Sequence, residues 1–463
     1  MRRDVRLRAA AERWLTALSR ALTWVRLERL CLCVLLLNKG YRLYARWGVM
    51  YGTDPNDQIE VTNLLGWGHM SLGLKQCFNC YQPPLGFLIP KIALAFGMHD
   101  VTAAELSSFV AYFVAFFLLR ATLSYLGVLA RPAAIVFLYS TVAIPVSSYL
   151  ALAITLDSFL YAWAAAILYT SVRLFWEVHL PPGGRRWRRV WAVLLVALLA
   201  TAPLVKISGF TLCSIPVLVA LVQRRGAGWR KRLATSLVPC AVAVALATPY
   251  FYERYYKETG HLLVTNHEWR FQSETDAGRA WRDEHPVRFF VEMLRLNPRA
   301  DADPNVIDPD RVRLHDWWRL YWVQPQFLGF AGEDAYRASR AYLAIMPVLV
   351  LVGLFAFGRR CRSGTIWSRL GWLFLLEGAV QLASMVRYLY VYPDALHVPV
   401  KPQYIAPFLW ALAYALSGVA SARWLFPYFL ARRWRLGRQL LVLLVLFLQV
   451  YSDHLAIYGP VPP

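Results

Sequence analysis

Ala153-Ile-Thr155-Leu-Asp157-Ser158-Phe-Leu-Tyr161 opens a segment, residues 157–175, that is apolar over a membrane's width and carries one acid at its start. Roughly 17–25 apolar residues in a helix cross a ~30 Å hydrocarbon core. Stretches of this kind recur near 25–45, 104–126, 132–150, 190–205, 209–222, 233–250, 341–358, 366–384, 403–420 and 439–456. The reading is an all-α polytopic membrane protein with about eleven spans, in a range of roughly 9–13. A mean hydropathy of +0.39, with 58% apolar and 15% aromatic residues, is too hydrophobic for a soluble chain of 463 residues. Only the first span is crowded with charge, at Arg26, Glu28, Arg29, Lys39 and Arg42, which leaves its ends open.

The net charge of +22 is a matter of topology rather than of nucleic-acid binding. Basic residues cluster in short stretches: Arg2 to Arg20, Arg185 to Arg189, Arg224 to Arg232, Arg359 to Arg362 and Arg432 to Arg438. These alternate with segments poorer in Lys and Arg, as cytoplasmic and external loops do under the positive-inside rule. The N-terminus is then cytoplasmic, its first apolar run a retained signal anchor. Segments 46–103, 150–156, around 206, 251–340 and 385–402 face outward, with the C-terminal tail.

Three regions follow. Residues 1–250 form an N-terminal transmembrane module with a long first outer loop, 48–103. Residues 251–340 hold 15 of the 28 acids and form an extracytoplasmic loop or subdomain, and 341–463 supply C-terminal membrane helices. Within the first outer loop, Pro83-Pro84-Leu-Gly-Phe through Phe96 is apolar but short and interrupted by Pro90, so it suits an interfacial helix. Cys77 and Cys80 lie in the same loop. Oxidation can pair them, or they are incidental; a zinc site would need two more ligands.

Ionisable groups at a membrane edge are costly and mark functional candidates. Asp54 and Asp57 sit in Tyr51-Gly-Thr-Asp54-Pro-Asn-Asp57-Gln58, just past the first span. Either serves as a general base toward an attacking hydroxyl or amine, or the pair is turn chemistry with Asp57 capping a helix from Gln58. Asp157 has the same two readings, since Thr155, Asp157 and Ser158 all suit an N-cap. Lys206, in Ala202-Pro-Leu-Val-Lys206-Ile-Ser-Gly209, is one of 7 lysines against 43 arginines. It snorkels to the interface or holds a lipid phosphate. Arg387 and Lys401-Pro402-Gln403-Tyr404 place further basic groups outside, against the charge bias. Glu377 alone lies deep in a span. No nucleotide-binding loop, dinucleotide fingerprint, zinc-protease motif or serine triad stands out.

In order and spacing these elements resemble the C-type integral-membrane glycosyltransferases, especially the branch of protein O-mannosyltransferases and lipid A aminoarabinose transferases. That family carries an acidic motif after the first span (here Asp57-Gln58) and a His/Lys-Pro-Pro-like element opening an interfacial helix (here Gln82-Pro83-Pro84). It has an Asp at the outer start of the fourth span, matched by Asp157, and a Thr-Lys-Gly-like turn after the fifth, matched by Lys206-Ile-Ser-Gly209. A late Arg-Tyr-type element is approximated by Lys401 to Tyr404. The likeness is good over 25–225 and loose beyond. Gln58 stands where an acid is usual, and Gln82 where His or Lys is usual.

The resemblance implies an integral multi-pass enzyme whose 1–250 module is catalytic. It moves a sugar, with inversion, from a polyprenyl-phosphate-linked donor to a glycan, lipid or protein acceptor on the extracytoplasmic side. Asp57 or Asp54 would be the base and Asp157 would orient a substrate. Lys206, Gln82, Arg387, Lys401 and Tyr404 would bind substrate or lipid phosphate, and aromatics such as Trp269, Trp317 and Trp318 the sugar. A divalent cation bridging Asp57, Asp157 and phosphate is compatible with these residues, though no ligand spacing demands one. The competing readings are a transporter or lipid-linked sugar flippase, and a non-catalytic relative. The first would favour mid-span charges and paired halves; the second fits the two Gln substitutions.

Overall fold

The computed structural model describes residues 23–45, 47–48, 55–67, 72–176, 184–223, 228–265, 272–287, 289, 347–359, 361, 364–393, 406–420, 437–444 and 447. They form helices throughout: α1 (Trp24–Ala45), α2 (Pro55–Leu64), α3 (Leu85–Ala95), α4 (Asp100–Tyr125), α5 (Pro132–Ala143), α6 (Pro145–Leu152), α7 (Leu156–Phe175) and α8 (Gly184–Val205). A 3-10 helix, Ile207–Cys213, then leads into α9 (Ser214–Val222), and α10 (Trp229–Phe251) continues through a π-turn, Tyr252–Tyr256. The series closes with α11 (Gln272–Glu284), α12 (Pro347–Gly358), α13 (Ile366–Val391) and α14 (Phe408–Val419). Five helices are long and apolar enough to cross a membrane, beginning at Asp100, Leu156, Arg186, Trp229 and Ile366, and five shorter apolar helices accompany them. The protein is an integral, multi-pass, all-α membrane protein.

Three spans differ in detail from the sequence expectation. Residues 132–150 are not one helix, because Pro145 cannot continue α5 and starts α6 instead. Residues 209–222 begin as a 3-10 turn. Helix α13 runs on to Val391, so Arg387 stands on a helix rather than in the 385–402 loop. The interfacial reading of 83–96 fits α3, whose 11 residues are short for a crossing.

The charges in the first span do not end it; Arg26 and Arg29 stay exposed, and Glu28, Lys39 and Arg42 are buried among neighbours. Arg120 of α4 makes a forked pair with Glu28, Nε to Oε1 at 2.7 Å and Nη2 to Oε2 at 3.2 Å. Tyr139 Oη donates to the Glu28 carbonyl at 3.0 Å. Lys39 and Arg42 are buried as well, Lys39 lying 5.8 Å from the Tyr112 ring centroid. The core around α4, α7, α13 and α14 is aromatic, and two of its indoles find partners: Trp410 Nε1 donates to Tyr161 Oη at 3.0 Å, and Trp176 Nε1 to the Val219 carbonyl at 3.0 Å. Helices α12 and α14 cross where Gly418 meets Gly353, so closely that a Cβ on either would overlap the other helix's backbone. Small residues at such crossings let membrane helices pack without a hydrophobic driving force between them.

Candidate active site where α7 and α8 meet

Helix α7 begins where Thr155 leaves extended backbone (φ −157°, ψ 141°) and its Oγ1 accepts from the Asp157 amide at 3.2 Å. Thr155 is therefore the N-cap. Asp157 is free of that duty and sits in the first turn, where the helix's positive end favours a carboxylate. Its Oδ2 accepts from Thr155 Oγ1 at 3.1 Å, and Ser158 Oγ donates to the Leu150 carbonyl. The remaining oxygen, Oδ1, lies 2.6 Å from Lys206 Nζ. Both side chains are largely buried, 4% and 13% exposed, so Lys206 is an internal ion-pair partner rather than a snorkelling cation.

Lys206 is presented by a tight turn. Pro203 lies in the last turn of α8, Lys206 adopts an extended backbone, and its carbonyl accepts from the Gly209 amide at 2.7 Å. A Cβ on Gly209 would overlap the Ala202 carbonyl, so only glycine lets the 3-10 turn fold back on α8. Gly86 of α3 does similar work from the other side: a Cβ there would come 2.5 Å from Leu156 Cδ2 and 3.1 Å from the Val205 carbonyl. Helix α3 thus rests on the two residues that precede Asp157 and Lys206 in the chain.

The described parts of the segment between α1 and α4 are folded onto the same end of the bundle. Ile59 of α2 packs in one cluster with Val101 and Ala104 of α4 and with Ile154, three residues before Asp157. Asn63 Nδ2 donates to Asp100 Oδ2 at 3.1 Å. Asp57, half-buried, lies inside the first turn of α2, because that helix starts at Pro55 and not at Gln58. Gln82 precedes α3; its Nε2 donates to Tyr81 Oη at 2.6 Å, while its buried Oε1 has no hydrogen-bond partner among the described residues. Cys77 and Cys80 form a disulfide. The carbonyl of Cys80 accepts from Arg254 Nη2 at 2.6 Å, and that of Tyr81 from Tyr255 Oη at 2.7 Å.

Of the residues singled out from sequence, Asp157 and Lys206 are brought together, and Asp57 and Gln82 ride on elements packed against them. Arg387 is exposed on α13, with no ion-pair partner among the described residues. Asp54, Lys401, Tyr404, Trp269, Trp317 and Trp318 lie outside the described residues. Sequence reasoning missed Arg254, which looks like one more helix-end cation until the π-turn aims it at the disulfide loop. Among the described residues no three His, Cys, Asp or Glu side chains gather as a metal would require, and Asp157 already spends an oxygen on Lys206. No step is derived through a metal.

ArnT from Cupriavidus metallidurans bound to undecaprenyl phosphate superposes with a TM-score of 0.50 over 94% of this chain and 76% of its own, at 15% identity. This is the C-type glycosyltransferase fold. The apo form of the same ArnT gives 0.48 at 16% identity, covering 95% of this chain and 77% of that one. The Archaeoglobus fulgidus oligosaccharyltransferase gives 0.45 at 12% identity, spanning 94% of this chain and 56% of that one. No family model matches the chain, and no curated protein sequence does either.

Proposed function

We propose that the protein is an inverting glycosyltransferase that uses a polyprenyl-phosphate-linked sugar and works at the extracytoplasmic face of the membrane. The observation that carries this reading is the buried Asp157–Lys206 pair, at the end of a C-type bundle where the first outer loop packs. An ammonium has three donors. Asp157 engages one of them and holds the ammonium in place at this end of the bundle, where a phosphate would meet it.

In the proposed reaction the Asp57 (or Asp54) carboxylate takes the proton from an acceptor hydroxyl or amine as that atom attacks the anomeric carbon. The new bond forms on the face opposite the phosphate, and the sugar–phosphate C–O bond breaks with its electron pair leaving on the polyprenyl phosphate. Configuration inverts. The charge gained by the departing phosphate is what fixed cations stabilise, and Lys206, held by Asp157, is the first candidate, with Arg254, Arg387 and Lys401 as further ones. Asp157 acts by orienting Lys206. Gln82, with an amide oxygen left over, supplies a neutral contact where relatives of this type carry a cation.

The test supplies purified protein with radiolabelled polyprenyl-phosphate sugars and membrane extract, comparing wild type with Asp57→Asn and Asp54→Asn. One substitution should abolish transfer while thermal stability stays near that of wild type. Equal loss of folding and transfer would mean that the acid only stabilises the start of α2. Full transfer by both variants would remove the base assignment.

A further inference from the structure

Glu377 is a carboxyl in the middle of α13, 1% exposed, a position that is costly to occupy and that the reaction above leaves unused. Among the described residues all of its hydrogen-bond partners are neutral. Gln381 Nε2, one turn further along α13, donates to Oε1 at 2.7 Å, and Ser214 Oγ lies 2.6 Å from Oε2. Gln381 Oε1 in turn accepts from Thr211 Oγ1 at 3.3 Å. Ser214 opens α9 and Thr211 lies in the 3-10 turn Ile207–Cys213. One acid–amide couple on α13 therefore grips the segment that begins next to Lys206.

That segment needs the grip. Hydrogen bonds in 3-10 helices have poor geometry, and runs of this length are uncommon without outside support. Pro203 has no amide hydrogen to give, so the last turn of α8 is weakened just before Lys206. The turn is strung between two buried polar anchors, Lys206 to Asp157 of α7 at one end, and Ser214 and Thr211 to Glu377 and Gln381 of α13 at the other.

We propose that Glu377 is a positioning residue: through Ser214 and Thr211 it sets the 3-10 turn and so aims the Lys206 ammonium at the lipid phosphate. This rests on the reading of Lys206 given under the proposed function. The direct probe is undecaprenyl phosphate alone, whose affinity for the purified protein is measured beside the melting temperature and backbone hydrogen exchange of 207–213. Glu377→Leu removes the hydrogen bonds without leaving a buried charge. It should weaken binding by about fivefold or more, the scale of one misdirected charge-assisted contact, and speed exchange in the turn. Glu377→Gln, which keeps the shape and the hydrogen-bonding capacity, should restore both. Should Glu377→Leu not fold, Ser214→Ala severs the same link from the other side.

In a Lys206→Gln background, Glu377→Leu should add no further loss. The same fold-loss in both backgrounds would show that Glu377 acts elsewhere and overturn the proposal. So would wild-type affinity and exchange in Glu377→Leu. If wild type itself fails to bind undecaprenyl phosphate, the functional reading falls. Exchange in 207–213 then still decides whether Glu377 holds the turn.

Discussion

Lys206 ends one membrane helix and Asp157 begins another, 49 residues earlier in the chain, yet their charged atoms lie 2.6 Å apart with little exposure. A pair of this kind does not measure stability by itself, because both ions gave up water to form it. It measures commitment: neither partner can be removed without stranding the other.

Lys206→Gln and Asp157→Asn should each destabilise by about 3–5 kcal/mol, the usual cost of leaving a buried charge unpaired. The double variant should cost much less than the sum. Equilibrium unfolding in mixed micelles reads the coupling, and additive losses would show that the two groups are not paired.

The glycines beside the pair should differ in sensitivity. At Gly209 an added methyl meets the Ala202 backbone, which cannot rotate away; at Gly86 it first meets the flexible end of Leu156. Gly209→Ala should cost about 1–3 kcal/mol, as overpacking does, and Gly86→Ala less. A melting series in detergent gives the order, and the reverse order would contradict this packing.

The latch on the disulfide loop can be dissected bond by bond. Tyr255→Phe removes a neutral hydrogen bond to the Tyr81 carbonyl, worth about 1 kcal/mol, whereas Arg254→Met removes a charge-assisted one to Cys80, worth about 1.5–3 kcal/mol. Limited proteolysis between residues 72 and 84 should accelerate in both variants, more in the second.

Sidedness is accessible through cysteine chemistry. Cys77 and Cys80 are paired, whereas Cys361 is a free, partly exposed thiol at the start of α13, the opposite end of that helix from Arg387. In intact cells a membrane-impermeant maleimide should spare Cys361 until the membrane is opened. With a reductant it should then reach the Cys77–Cys80 loop from outside. Labelling of Cys361 in sealed cells would invert the proposed orientation.

The bundle was legible because lipid imposes a blunt rule: apolar runs of sufficient length must be helices, and the basic clusters say which ends lie together. That Asp157 and Lys206 share a side was legible too, since each is a lone charge at a span end that the topology puts there; that they pair directly was not, because a snorkelling or phosphate-binding lysine reads the same in sequence. Other features were not. Nothing local distinguishes Thr155 from Asp157 as the cap, because both are good N-cap residues and only packing decides which carboxylate oxygen is left over. The break at Pro145 was passed over because the surrounding residues stay apolar. Glu28 and Arg120 look like defects in two separate spans until the helices pair and cancel them. Arg254 was invisible because its aim depends on a π-turn, and helical periodicity has no term for one.

That turn has an evolutionary corollary. In an ordinary helix, neighbouring side chains point about 100° apart, a consequence of 3.6 residues per turn. Arg254 and Tyr255 nevertheless grasp the successive carbonyls of Cys80 and Tyr81. Losing or gaining one residue between Pro249 and Gly260 would swing both away together and unfasten the loop that leads to α3. Relatives that share this latch should tolerate many exchanges of side chain along this stretch, but no indel within it.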